Sequence, residues 1–109
     1  MVDGQPGGIS GRYGQTVTAS AICAHLDQIS VTELPASIEG CEECLKVGSG
    51  WVHLRMCMTC GKIGCCDDSP NKHATAHYHE STHPIMRSAE PGEHWSWCYV
   101  EEVAFRTPG

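Results

Sequence analysis

Hydrophobic and polar residues alternate between positions 51 and 56, where Val52, Leu54 and Met56 would share one face of an extended chain. A period of two residues is typical of a strand with one face buried and the other in water. The pattern therefore predicts a half-buried strand over Trp51–Met56. Its second face would carry Trp51, His53 and Arg55.

Two further extended segments are predicted in the last quarter of the chain. The first is a short strand over Ile85–Ser88. The second covers Trp95–Phe105 and has large hydrophobic residues at mainly alternating positions. A turn over Glu90–Glu93 is predicted to separate them.

One helix is predicted between the first and second strands. Ser69 or Asn71 could cap a helix that begins at about residue 70 or 72 and ends at Ser81. Within it, His73 and His77 are four residues apart, so they would lie on the same side.

The remaining segments have weaker patterns. Positions 1–20 are rich in glycine and aperiodic, which predicts a flexible tail. The ordered domain is predicted to cover residues 21–106. Cys41–Cys44 is predicted to form a metal-binding turn, followed by a loop over Lys46–Gly50.

The composition adds that this domain has a small hydrophobic core. A chain of 109 residues has room for one domain, and it contains one Phe, three Trp and three Tyr. Domains of this kind usually need an additional stabilising element.

The charge restricts the class of partner. The formal net charge is −6 with only seven Lys plus Arg, which disfavours binding to nucleic acid or to an anionic membrane. We therefore expect an unidentified protein or peptide partner and a monomeric chain. No segment resembles an export signal or approaches the ~20 apolar residues of a membrane span, so we expect a soluble, cytoplasmic protein.

Cysteine and histidine residues between positions 41 and 83 have the spacing of zinc ligands. Thiolate and imidazole are the donors that tetrahedral zinc prefers, and two residues between cysteines let both sulfurs reach one ion. A disulfide framework is the alternative, but it gives no role to the histidines. The pattern indicates two interleaved zinc sites, with the ligands Cys41, Cys44, Cys57, Cys60, Cys65, His73, His77 and His83. A structural zinc site contributes on the order of 10–16 kcal/mol of apparent binding free energy, so the metal-free chain is expected to be largely unstructured.

Three functions that such spacing can suggest are disfavoured by neighbouring residues. A DNA-reading finger needs large apolar residues between its ligand pairs, and the stretch 61–72 offers only Ile63. A metalloprotease helix needs Glu after its first histidine, where this chain has Ala74. A redox role for Cys66 is less expected than a small buried side chain.

The order of these motifs resembles the UBP-type zinc finger, the ubiquitin-binding module of ubiquitin-specific proteases and a histone deacetylase. The resemblance covers about residues 21–105. It rests on the strings Cys23-Ala-His25, Cys41-x2-Cys44, Cys57-x2-Cys60-Gly-x2-Gly-Cys65, His73-x3-His77, His83-Pro84 and Trp97-Cys98-Tyr99. It implies an α+β fold, with a small, twisted, mainly antiparallel sheet, a packed helix and cross-braced zinc sites. We expect a stand-alone, divergent member.

The resemblance also implies how the ligands are grouped. One zinc would be held by Cys41, Cys44, Cys65 and His73, and a second by Cys57, Cys60, His77 and His83. Members with three zinc ions have a further site, for which this chain offers Cys23, His25, Cys98 and Glu101. Glu101 stands where the family has a cysteine, and a carboxylate can also bind zinc. We expect two zinc ions and treat the third set as a candidate.

The residues beside the ligands depart from the family's ubiquitin pocket. The family has an Arg and an aromatic residue that help to hold the C-terminal carboxylate of ubiquitin, where this chain has Asp67 and Asp68. An anion facing a carboxylate is repulsive, so recognition of a ubiquitin C-terminus is not expected. The candidate partner-binding residues are Trp51, Arg55, Asp67, Trp97 and Tyr99.

These observations predict a zinc-binding, non-catalytic module for protein or peptide interaction. An acidic floor in its groove would suit a basic peptide. The alternative is a zinc-dependent redox sensor or metal buffer in which Cys66, Cys98 and the third set of donors exchange metal or become oxidised.

Overall fold

The computed structural model describes residues 23–108. The tail predicted for residues 1–20 and the predicted start of the domain at Ala21 lie outside these residues. After a single 3₁₀ turn at Leu26–Gln28, the described chain forms two helices and five strands. In chain order these are α1 (Glu42–Val47), β1 (Leu54–Cys57), β2 (Ile63–Cys65), α2 (His73–Ser81), β3 (Ile85–Ser88), β4 (Trp95–Cys98) and β5 (Val103–Arg106).

The five strands form one sheet in the order β2-β1-β3-β4-β5, and every neighbouring pair is antiparallel. Together with the helices this confirms the predicted small α+β domain. The longest helix among the described residues is α2 with nine residues, and none of their helices has the length and apolar character of a membrane span.

One face of the sheet contains the hydrophobic core. Residues paired across antiparallel strands project to the same face, and Met56 pairs with Ile63 while Ile85 pairs with Cys98. All four are buried. The segment 23–40 covers this face with its apolar side chains, which are Leu26, Ile29, Val31, Leu34 and Ile38.

Helix α2 covers part of the opposite face. It packs closely on β2 at Gly64, where an added Cβ would lie 2.8 Å from the backbone nitrogen of Ala74. Only glycine permits this approach, because any side chain would push the helix off the strand. The pair Met86 and Trp97 lies on the same face, beyond the helix, where it remains only partly covered.

The predicted strand over Trp51–Met56 is shorter than expected. Strand β1 begins at Leu54, whose partner Cys65 is the last residue of β2, and a hydrogen bond from Cys66 N to His53 O at 3.0 Å lies just beyond this pair. The backbone N–H of Val52 instead donates to Ser69 Oγ at 2.8 Å. Val52 is 52 % exposed, so the prediction that it shares a buried face with Leu54 was wrong.

The extended segment predicted over Trp95–Phe105 is a hairpin of β4 and β5. Its turn is closed by a hydrogen bond from Glu102 N to Cys98 O at 2.8 Å, and Glu102 adopts a positive φ of 56°. Glycine and asparagine are the usual residues in such a conformation, and neither occurs there, so the sequence pattern continued without a break. The turn predicted over Glu90–Glu93 is confirmed by a hydrogen bond from Glu93 N to Glu90 O.

Helix α2 has the predicted extent but not the predicted cap. Its N-cap is Lys72, which makes no side-chain capping bond. Ser69 accepts from Val52, and Asn71 Nδ2 donates to Ser49 Oγ at 2.7 Å. The N–H of His73 donates to Cys65 Sγ at 3.2 Å, so a metal-ligand candidate satisfies a backbone donor of the first turn.

The region after Cys41 is a helix rather than a turn and a loop. Cys41 is the N-cap of α1, and its sulfur accepts from the N–H of Cys44. The helix extends to Val47, and Gly48 ends it in the left-handed conformation. The short strand β2 was also not predicted.

Candidate functional site

Three thiols and one imidazole converge between α1, β2 and α2. His73 Nδ1 lies 3.3 Å from Cys41 Sγ, 3.3 Å from Cys44 Sγ and 3.6 Å from Cys65 Sγ, and the sulfurs of Cys44 and Cys65 are 3.8 Å apart. A tetrahedral zinc ion with ordinary bond lengths separates two sulfurs by about 3.8 Å and a sulfur from a nitrogen by about 3.6 Å. The donors of this first group therefore fit zinc.

The three thiols of the first group are fully buried, which makes them dependent on a cation. Cys41, Cys44 and Cys65 have no exposed surface. Burial raises the pKa of the Cys41 thiol to about 11; the N–H of Cys44 opposes this rise, and the thiols of Cys44 and Cys65 reinforce it. Three neighbouring thiolates would repel one another in such a site, whereas a divalent ion would stabilise all three.

The second group consists of two thiols and two imidazoles, from Cys57, Cys60, His77 and His83. Cys57 Sγ is 3.5 Å from His83 Nδ1, and Cys60 Sγ is 3.4 Å from His77 Nε2. Burial lowers the pKa of His77, and the proximity of His83 and Lys62 lowers it further. This favours the neutral imidazole, which is the form that binds metal.

Helix α2 connects the two groups. It contributes His73 to the first group and His77 to the second, one helical turn apart. The cysteines are also interleaved, because Cys57 and Cys60 of the second group precede Cys65 of the first in the chain. A change in either group would therefore be transmitted to the helix that both groups hold.

A third group joins the N-terminal described segment to the β4–β5 turn. His25 Nδ1 lies 3.8 Å from Cys23 Sγ and 3.7 Å from Cys98 Sγ. Oε1 of Glu101 accepts from the N–H of Ala24 at 2.9 Å. All four residues place one donor atom within 4.8 Å of the others, so the third candidate set is also brought together.

None of the eight cysteines forms a disulfide. The disulfide alternative would need sulfurs about 2.0 Å apart, whereas Cys44 and Cys65 have the separation of two ligands on one ion. Cys66 belongs to none of the three groups and is 5 % exposed. Its sulfur lies 3.5 Å from Ser69 Oγ.

Comparison with known proteins agrees with this donor pattern. The profile of the zf-UBP family, described as the Zn-finger in ubiquitin-hydrolases and other protein, matches residues 41–108. The chain belongs to this family. Zf-UBP is a zinc-binding family, and the three groups are the places where this member could hold zinc.

Two known proteins are similar to this chain. The solution NMR structure of protein RPA1320 from Rhodopseudomonas palustris is similar, with 58 % sequence identity, a TM-score of 0.68, and coverage of 78 % of this chain and 81 % of that one. The NAD-dependent deacetylase sir2A of Dictyostelium discoideum is 34 % identical over 71 residues. That match covers 65 % of this chain, which spans only 12 % of the deacetylase.

Beside α2, this zf-UBP member has an open groove of about 410 Å³ over the part of the sheet that the helix leaves uncovered. We call it the aromatic groove. Its lining contains the aromatic residues Trp95, Trp97 and Tyr99, the acidic residues Asp67, Asp68 and Glu102, and the single basic residue Arg55, together with Cys66, Thr75 and Met86.

Four of the five residues predicted to contact a partner line this groove, namely Arg55, Asp67, Trp97 and Tyr99. Trp51 does not, because it packs against the first group, in contact with the buried Cys41, Cys44 and Cys65 cluster. The inference that it shares a strand face with Arg55 was wrong, since β1 begins three residues later. Trp95 was missed, although its spacing of two residues from Trp97 indicates a shared face.

Several contacts fix the walls of the aromatic groove. The Tyr99 ring stacks on Tyr78 of α2 with centroids 4.6 Å apart. Thr75 Oγ1 donates to Asp67 Oδ1 at 2.6 Å. The guanidinium of Arg55 lies 4.6 Å from the centroid of the Trp95 ring and donates to Leu54 O.

Proposed function

We propose that this chain is a non-catalytic interaction module in which zinc stabilises the fold and the aromatic groove binds a segment of another protein. The observation that supports it best is the groove itself. It combines three partly buried aromatic side chains with a few oriented polar groups. Its volume lies within the roughly 300–1,000 Å³ of typical ligand pockets.

The donor sets support the absence of catalysis at the first two groups. Each supplies four protein donors, which is the full coordination number of a structural zinc. A catalytic zinc keeps one position for water or substrate. Zinc held by all four donors would have no such position.

We further propose that this member does not bind ubiquitin's C-terminus in the family's usual way. Asp67 and Asp68 are exposed and line the groove, so an incoming carboxylate would meet two anions. Arg55 is already engaged with the Trp95 ring and with Leu54 O. Tryptophan fluorescence during titration with ubiquitin is expected not to change, and micromolar binding that requires the free C-terminal carboxylate would contradict this proposal.

An array of short peptides probed with the zinc-loaded protein tests the interaction role. We expect a set of peptides bound by the wild type and by Val52→Ala, an exposed position outside the groove, but not by Trp97→Ala. Equal zinc content and thermal stability would confirm that the variants are folded. The absence of any peptide whose binding depends on Trp97 would contradict the proposal.

A second candidate function is supported by the exposure of Cys60, the one exposed cysteine. A zinc-dependent redox sensor needs a thiolate that an oxidant can reach, and Cys66 and Cys98 are both buried. Hydrogen peroxide could take two electrons from the Cys57 and Cys60 thiolates, which would form their disulfide and two hydroxide ions and release the metal. Zinc retention in dilute peroxide supports the interaction module, and release coupled to Cys60 oxidation supports the sensor.

The unpaired cysteines also favour one kind of cellular compartment. Eight unpaired cysteines, most of them in donor groups, suit a reducing compartment. We therefore propose a cytoplasmic location.

A further inference from the structure

We infer that the aromatic groove recognises a positively charged side chain, a Lys or Arg presented by a peptide segment of the partner. This inference rests on the proposed function and specifies its ligand. It follows from the charges, the aromatic surfaces and the fixed orientation of the groove residues.

The charges in the groove favour a cation. Its three carboxylates, from Asp67, Asp68 and Glu102, are exposed and face one guanidinium, from Arg55. The groove therefore has two negative charges in excess. The chain as a whole is also acidic, with a net charge of −6, so the field outside the groove would attract the same ligand.

The aromatic walls offer a second attraction of the same sign. The faces of Trp and Tyr rings attract ammonium and guanidinium groups, by about 0.5–2 kcal/mol according to exposure. Arg55 already makes such a contact with Trp95 inside this groove. Trp97 and Tyr99 are half-buried members of the same wall with no such intramolecular cation recorded among the described residues.

The side chain of Asp67 is held in place by helix α2 before a ligand binds. Thr75 binds one carboxylate oxygen, Oδ1 of Asp67, and leaves the other oxygen free to accept. Tyr99 is fixed by its stacking on Tyr78. Binding would therefore require little additional ordering of these side chains.

Other ligand classes fit less well. A carboxylate or a phosphate would be repelled by the excess negative charge. A purely apolar segment would cover carboxylates without compensating them, which is costly. A cationic side chain meets both the ring faces and the free carboxylate oxygens.

The test uses capped peptides Gly-Gly-X-Gly-Gly in which X is Lys, Arg, Leu or Glu, titrated into the zinc-loaded protein and followed by tryptophan fluorescence. We expect the Lys and Arg peptides to bind at least about tenfold more tightly than the Leu peptide, because they add both cation–π and carboxylate contacts. The Glu peptide should not bind. Equal binding of the Leu and Lys peptides would overturn the inference.

Matched variants distinguish binding in the groove from attraction to the net negative charge of the chain. Asp67→Asn keeps an oxygen that can accept from Thr75 while removing the charge, and with Asp68→Asn it should weaken Lys-peptide binding about tenfold or more. Glu33→Gln together with Glu39→Gln removes two exposed carboxylates that do not line the groove and should leave binding unchanged. Equal effects of the two changes would overturn the inference.

Two further outcomes distinguish the inference from the proposed function. If the array yields peptides that depend on Trp97 but contain no Lys or Arg, the inference fails and the interaction role stands. If no peptide depends on Trp97, both fail. Binding of butylammonium alone as tightly as the Lys peptide would overturn the assignment to a peptide segment.

Discussion

The zinc-ligand groups and the aromatic groove are built from the same strands but constrain their residues differently. In the first group, each sulfur is buried and lies within 3.6 Å of one imidazole nitrogen, so no donor can be replaced without loss of the tetrahedron. In the groove, side chains are partly exposed and several have no partner within the described chain. Substitutions in the donor groups are therefore expected to destabilise the fold. Substitutions in the groove are expected to alter which ligand binds without loss of the fold.

Removal of zinc should destabilise the fold more than any other change. It tests whether the donor groups hold the fold together. Cys65→Ala removes a buried donor from the first group and also the acceptor of the His73 N–H. Since structural zinc contributes on the order of 10 kcal/mol, we expect loss of folded structure in this variant and in the wild type with excess strong chelator. Circular dichroism and zinc content measure it; a folded, zinc-free wild type would contradict the prediction.

Acidification should give the next largest effect. Burial, His83 and Lys62 lower the pKa of His77 in the folded protein below its ordinary value of 6.5. A depressed pKa means that the unfolded chain binds more protons, so this contribution to stability is present above pH 6.5 and is lost as the pH falls below it. We expect zinc content and thermal stability to fall together across pH 6.5 to 5, whereas constant values over that range would contradict the prediction.

The third group should be less important than the first two. Glu101→Ala removes a carboxylate donor and the exposed acceptor of the Ala24 N–H, so we expect any zinc at that group alone to be lost, with a destabilisation of about 0.5–1.5 kcal/mol. Glu101→Cys should strengthen metal binding there. Native mass spectrometry and thermal unfolding measure both, with Glu39→Gln as the control; a variant that loses all its zinc would contradict the prediction.

Changes within the groove should have the smallest effect on stability. The Asp68 side chain is exposed, so Asp68→Asn should change the free energy of unfolding by no more than about 0.5 kcal/mol. Its binding of the Lys peptide should nevertheless weaken. Chemical denaturation measures the free energy of unfolding. A loss of several kcal/mol would show that Asp68 also stabilises the fold.

The sequence allowed the ligand set, the extent of α2 and the α+β class to be predicted, because ligand spacing and periodicity are local. It did not reveal the positive φ of Glu102 that divides the last segment into a hairpin. It also did not reveal that Ser69 would bind Val52 and that Cys65 would accept from the first N–H of α2. The Glu102 turn is local but lacks the residues that usually mark such a turn, and the other two contacts join separate elements across 17 and 8 residues.

The groove was predictable only in part for the same reason. Asp67 and Tyr99 followed from their places next to ligand residues in the resemblance. Trp51 does not line the groove, because it lies before the start of β1 at Leu54. Trp95 faces the groove because β4 pairs with β3 in a register that puts Trp97 opposite Met86.

Zinc stoichiometry combined with X-ray absorption shows directly whether zinc holds this fold together. We expect at least two tightly held zinc ions per chain, with zinc–sulfur distances of about 2.3 Å and zinc–nitrogen distances of about 2.0–2.1 Å. Replacing Cys65 or Cys57 by Ala should remove metal and fold together. A chain that folds without zinc, with its cysteines in disulfides, would contradict zinc-dependent folding.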